Sequence, residues 1–105
     1  MTQAEQIKQN IQKHIDNNAV LLFMKGTPDE PRCGFSARSV QILKACGVTF
    51  GSVDVLAEPL VREFLPQVSN WPTFPQLFVK GELVGGCDIM TELYESGELE
   101  KILKD

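Results

Sequence analysis

Apolar residues recur at helical spacing near the start of the chain, at Ala4, Ile7, Ile11 and Ile15, and two asparagines, Asn17 and Asn18, close the run. Thr2 and Glu5 stand at capping-box spacing, so a covering helix is expected here. The pattern then changes. Ala19 to Met24 is a continuous apolar run bounded by turn signals, the mark of a strand covered on both faces, and a central strand is predicted. From Gly34 the positions Ser39, Val40, Leu43 and Cys46 follow a helical pattern, with Gly47 as a left-handed stop. Val48 to Val55 alternates and is rich in β-formers. Strand, helix and strand in this order imply a right-handed βαβ unit with parallel strands.

In the second half, Pro59 suits the first turn of a helix whose apolar stripe is Leu60, Val61, Phe64, Leu65 and Val68, with Arg62 off the stripe. Pro66 removes a backbone donor, so this helix is predicted to kink or end near Leu65. Pro72 and Pro75 force extended backbone at Trp71 and Phe74. Pro75 stands directly before a strand and is a candidate cis bond, which would expose neighbouring backbone groups to an extended ligand. Gln76 to Val79, the turn Lys80-Gly81 and Glu82 to Val84 make an antiparallel hairpin that completes a four-stranded sheet. Asp88 is expected to cap a helix running through Ile89, Met90, Leu93 and Tyr94, and Gly97 separates a last short helix with Leu99, Ile102 and Leu103.

Composition narrows the function classes. A chain of 105 residues suits one domain, expected to span residues 1–105, with a core that needs no disulfide staples. The net charge of -4 and the lack of a basic stripe argue against nucleic acid as the main partner. The apolar runs are too short to span a membrane, and the first residues lack the basic and apolar regions of a signal peptide, so a cytoplasmic location is expected. Three scattered cysteines, at 33, 46 and 87, make no disulfide framework and fit a reducing compartment. The acidic residues Glu92, Glu95, Glu98 and Glu100 read as a solvated face.

The candidate chemistry centres on Cys33-Gly34-Phe35-Ser36, which a loop of turn formers delivers from the first strand to the start of a helix. Unpaired N–H groups and the positive end of the helix dipole favour an anion there, so the Cys33 thiolate is expected to be more populated than in a free cysteine. Ser36 stands where a dithiol motif carries its second cysteine. Lys25 ends the first strand near this loop, at the sheet edge where α/β proteins place ligands, and reads as either a ligand cation or a solvated charge. Cys46 falls on the buried face of its helix and reads as an inert small hydrophobe, and the lone His14 reads as a surface or boundary residue.

Four stretches, Phe23-Met24-Lys25-Gly26-Thr27-Pro28, Cys33-Gly34-Phe35-Ser36, Trp71-Pro72-Thr73-Phe74-Pro75 and Gly85-Gly86-Cys87-Asp88, occur in an order and spacing that resembles the monothiol glutaredoxin family of the CGFS type over essentially the whole chain. The resemblance implies an α/β, thioredoxin-like fold: a four-stranded mixed sheet with helices on both faces and Pro75 in cis. It also implies bound glutathione. Lys25 and Arg62 would meet the glycyl carboxylate, the backbone of Phe74 would pair with the cysteinyl unit, and the backbone of Cys87 with the side chain and N–H of Asp88 would hold the γ-glutamyl end. These transfers are chemically consistent, with cations for a carboxylate and an acid for an α-amino group. One departure is visible. Members of the family often carry a lysine one helical turn after the arginine, where this chain has Pro66.

A [2Fe-2S] cluster normally takes four thiolate ligands. The resemblance implies that two protomers each supply Cys33 and one bound glutathione sulfur, giving a cluster-bridged homodimer whose cluster can be passed on. The leading expectation is a carrier in iron-sulfur cluster assembly and iron homeostasis, with a BolA-type protein and apo iron-sulfur acceptor proteins as partners. The alternative is a glutathione-dependent thiol-disulfide oxidoreductase in which Cys33 is the nucleophile and free glutathione resolves the intermediate. The long loop from Thr27 to Arg32 before Cys33 speaks against it.

Overall fold

A computed structural model describes residues 2–104. Its sheet is built outward from β1 (Val20–Met24), whose five residues are all buried. β2 (Gly51–Asp54) pairs with it in parallel and β3 (Gln76–Val79) antiparallel, and β4 (Glu82–Gly85) closes the order β2-β1-β3-β4. This is the mixed four-stranded sheet expected from the sequence.

Alternation along β1 explains why both faces need cover. Leu21 and Phe23 point to one side, where Ile11 and Ile15 of α1 (Gln3–Asn17) and Val61 and Leu65 of α3 (Pro59–Ser69) close over them. Phe23 meets Phe78 edge to face at 5.6 Å between ring centres. Val20, Leu22 and Met24 point the other way, onto α2 (Gly34–Ala45), α4 (Cys87–Ser96) and α5 (Glu98–Lys104) through Val40, Leu43, Met90 and Leu99. The Thr2 hydroxyl accepts the Glu5 N–H and starts α1, and His14 is exposed. The hairpin turns through Lys80 and Gly81, both with positive φ (52° and 83°), the pair of conformations that matches the twist of the flanking strands.

Three expectations need correction. β2 begins at Gly51 rather than Val48, because its register with β1 starts at the Leu21–Gly51 pair. Of the kink or end expected at Pro66, the end does not occur: α3 runs on past Leu65 to Ser69 and closes on a left-handed Asn70. The donor that Pro66 lacks would have met the carbonyl of Arg62, an exposed residue, so water can take its place while buried Val61 and Leu65 hold the helix on the sheet. Asp88 is not the cap of α4. Gly86 holds that position, which puts Cys87 and Asp88 inside the first turn.

The strand pairing also decides where a site can form. Met24, Asp54, Gln76 and Gly85 lie at one edge of the sheet, so the loops around Lys25, Leu56, Phe74 and Gly86 are brought together there.

Candidate functional site

The segment between β1 and α2 leaves the sheet and returns to its starting point. Gly26 bridges to Pro31, and the Arg32 N–H donates to the Lys25 carbonyl at 2.9 Å. Outside this neck, Thr27 and Glu30 exchange backbone hydrogen bonds at 3.1 and 3.2 Å. The extra residues are looped out, and Cys33 resumes the chain beside Lys25. Asp54 fixes the neck to β2, its Oδ1 accepting the N–H groups of Gly26 and Leu56, both at 2.9 Å. Burial pushes this carboxyl up, but the N–H groups of Gly26, Leu56 and Ala57 and the charge of Arg32 outweigh it and hold the group below its ordinary value.

Cys33 is the N-cap of α2, with extended backbone, and its thiol is half-buried. Its pKa is lowered. The backbone N–H of Ser36 contributes most, burial opposes it, and the Phe35 N–H, the Lys25 charge and the Ser36 hydroxyl add to the lowering. The thiol makes no formal capping bond, so these groups favour the anion by facing it rather than by closing a cap. The other two cysteines are buried and all three are free. Burial, with Glu100 nearby, pushes the Cys46 thiol up despite Lys104, which suits the inert role read for it.

Ser36 does more than occupy the place of a second cysteine. It is fully buried, and its Oγ accepts the Lys25 N–H at 3.0 Å, tying the end of β1 to the first turn of α2. Ser36→Ala is expected to cost about 1–3 kcal/mol, because the Lys25 N–H loses its acceptor in a part-buried setting. The Cys33 thiol pKa should rise only slightly, since the larger contribution, from the Ser36 backbone N–H, survives the change. Denaturant melts and the pH dependence of thiol alkylation measure the two effects. A large rise in the pKa would mean that the hydroxyl, not the backbone, holds the thiolate.

The facing wall is the segment from Trp71 to Pro75, with Phe74–Pro75 in cis as expected. Between the walls lies a cleft of about 770 Å³ lined by Lys25, Cys33, Arg62, Phe74, Cys87 and Asp88, so every site residue expected from the sequence borders one space. Strand order distributes their charges. Lys25 follows β1 and Arg62 lies on the helix after β2, whereas Asp88 follows β4, and Phe74 leads into β3 between them. At the Asp88 end the first N–H groups of α4 have no intrahelical partner and are available to an anion. Pro66 also lines the cleft, so the position where the resemblance expects a lysine does face this space without a charge.

Sequence reasoning passed over several residues here. Phe35 is 61% exposed at the rim, an unusual placement for a large aromatic. Trp71 lines the cleft with its Nε1 buried and without a partner among the described residues, and Gln76, directly after Pro75, is fully buried. The tryptophan was visible as part of a motif. Nothing in the local pattern distinguishes Gln76 from an ordinary polar residue at the start of a strand.

A half-exposed, activated thiol at a helix start, facing a Pro-containing wall across the edge of a four-stranded mixed sheet, defines a thioredoxin-like thiol domain. The glutaredoxin family model matches residues 20–84. A probable monothiol glutaredoxin, GrlA, of Legionella pneumophila is 62% identical over 85 residues, covering 81% of this chain and 96% of the relative. Glutaredoxin 4 of Escherichia coli is 56% identical over 97 residues, covering 92% of this chain and 84% of that protein. The solution structure of reduced poplar apo GrxS14 superposes with a TM-score of 0.82 at 49% identity, covering 93% of this chain and 90% of that one. A buckwheat glutaredoxin-glutathione complex, 23% identical, shares the fold with a TM-score of 0.86 over 99% of this chain and 94% of that one. The chain belongs to the glutaredoxin family, in its monothiol, glutaredoxin 4-like branch.

Proposed function

We propose that this protein binds glutathione in the cleft and carries a [2Fe-2S] cluster between proteins, held by Cys33 and the glutathione sulfur of each of two protomers. The observation that carries the reading is the donor set. Cys33 is the one cysteine that is not buried, and among the described residues no group of three or more His, Cys, Asp or Glu side chains could hold a metal ion. A cluster that needs four thiolates therefore has to draw most of them from outside the protomer. The cleft beside Cys33 suits a donor of that kind: an extended peptide-like thiol with carboxylates for Lys25 and Arg62, and with an amino group and a carboxylate for Asp88 and the start of α4. The buckwheat relative of the same fold is described in complex with glutathione. Cys33 and Phe35 lie at the open rim, where a second protomer, a BolA-type protein or an apo acceptor would approach. With two of the four ligands non-covalently held, the cluster is cargo rather than a fixed centre.

Anaerobic reconstitution with iron, sulfide and glutathione tests this. Visible charge-transfer absorption and a shift from monomer to dimer are expected, and both should be absent when glutathione is left out. A protein that stays colourless and monomeric while rapidly reducing a glutathionylated substrate would replace this reading with the oxidoreductase one, in which the lowered thiol pKa serves a nucleophile.

A further inference from the structure

We infer that Gln76 is a positioning residue for the cleft: its side-chain amide holds the Trp71–Phe74 backbone from beneath and turns the Phe74 N–H outward toward the ligand. The inference rests on the glutathione reading above for the identity of that ligand. Gln76 begins β3 and is fully buried, an uncommon setting for a glutamine. Its Nε2 donates to the carbonyls of Trp71 and Thr73, each at 3.0 Å. Both N–H bonds of the amide are spent on one short segment. The Oε1 is buried with no partner among the described residues, so this contact is kept although the other half of the amide is left unsatisfied.

The consequence follows from peptide geometry. The Thr73–Phe74 bond is trans, because the cis bond of this segment is the next one, Phe74–Pro75. In a trans peptide the C=O and N–H point in opposite directions. With the Thr73 carbonyl drawn inward to a fully buried amide, the Phe74 N–H must point outward, and Phe74 lines the cleft. The Phe74 ring packs against the core beside α1 and α3, so the residue is anchored on one side while its backbone faces the other. The prolines that flank Thr73 and Phe74 cannot supply this control from within the backbone: Pro72 and Pro75 have no N–H, and the segment lies outside the β-ladder, which begins at Gln76. Gln76 thus substitutes for the missing ladder bonds and presets one hydrogen-bond donor for an extended ligand, which lowers the ordering cost of binding.

A graded pair of variants tests it, using full-length protein. Gln76→Met keeps the length and removes both donors. Gln76→Glu, neutral in a buried site, keeps one. Glutathione dissociation constants from calorimetry are expected to weaken about tenfold for Gln76→Met and by an intermediate factor for Gln76→Glu. The 15N shift of the Phe74 amide, measured without ligand, should move in the same order. The thiol pKa of Cys33, on the opposite wall, should stay at its wild-type value. A general structural role would shift that pKa and the unfolding midpoint together with affinity. An unchanged Phe74 amide overturns the inference, as does an affinity loss accompanied by an equal disturbance at Cys33. If wild-type protein does not bind glutathione, the functional reading fails on its own, and the ligand-free Phe74 amide still decides the role of Gln76. If Gln76→Met does not fold, Gln76→Glu decides by the same two measurements.

Discussion

Cys33→Ser is expected to abolish the visible absorption and the dimer proposed to form on reconstitution, leaving a colourless monomer that is at least as stable as the wild type. The hydroxyl of serine does not ionise near neutral pH, and it lacks the soft sulfur that iron-sulfur clusters require. Neither remaining thiol is placed to take over. Cys46 closes the far end of α2, buried and with its pKa pushed up, and Cys87 is buried in the first turn of α4. Stability should move the other way from function. Cys33 is the N-cap of α2 without a side-chain capping bond, and serine is among the favoured capping residues, so the variant can gain up to about 1 kcal/mol. Absorption spectra and sedimentation, read beside a thermal melt, separate loss of a ligand from loss of the fold. A coloured dimer from Cys33→Ser would transfer the ligand role to Cys46 or Cys87 and overturn the assignment.

The second large effect is expected at Gly26, whose substitution should damage the fold and the site together. Its φ is +91°, a conformation that disfavours a side chain, and a Cβ placed there would lie 2.5 Å from the Glu30 carbonyl oxygen and 2.7 Å from the Arg32 nitrogen. These are backbone atoms of the neck that returns the chain to Cys33, so relief requires the neck to open. Gly26→Ala should cost about 2–5 kcal/mol, combining an unfavourable φ with overpacking. Gly81 provides the control. Its φ is +83° but no atom of the described residues lies within 4 Å of the place a methyl group would take, so Gly81→Ala should cost only the conformational penalty of about 1–2 kcal/mol. Denaturant midpoints compare the two. Alkylation kinetics should further show the Cys33 pKa rising in Gly26→Ala alone, as the neck no longer sets the thiol beside Lys25. Equal costs at the two glycines, with an unchanged thiol, would mean that the neck does not position Cys33.

Glutaredoxin sequences of this kind reveal their frame through burial. β1 could be recognised because a strand covered on both faces must be apolar throughout, and all five of its residues are buried. The helices α1, α3 and α4 showed themselves through apolar positions repeating at helical spacing. Where local rules failed, a longer-range contact had outweighed them. Pro66 was expected to kink or end α3, but the packing of Val61 and Leu65 carries the helix past it to Ser69. Asp88 looked like a cap, yet the cap of α4 falls two residues earlier, at Gly86, as the chain leaves β4.

The site divides in the same way. The order of residues along the chain determined which chemical groups were on offer: one thiol at a helix start, two cations, an acid and a proline-bounded extended segment. Local composition also sufficed to place Cys33 at a helix N-terminus, because turn formers before Gly34 and an apolar period after it act over a few residues. Tertiary structure alone decided that Lys25, Arg62, Phe74, Cys87 and Asp88 border one cleft, since their convergence depends on the strand order β2-β1-β3-β4, which brings the loops that carry them to one sheet edge. It alone gave Ser36, Asp54 and Gln76 their supporting roles. Each uses a side-chain hydrogen bond to backbone whose partner is fixed by how the elements meet: Ser36 to Lys25, Asp54 to Gly26, Gln76 to Trp71 and Thr73. Periodicity reports which side of an element is buried, but not which polar group a buried side chain will meet.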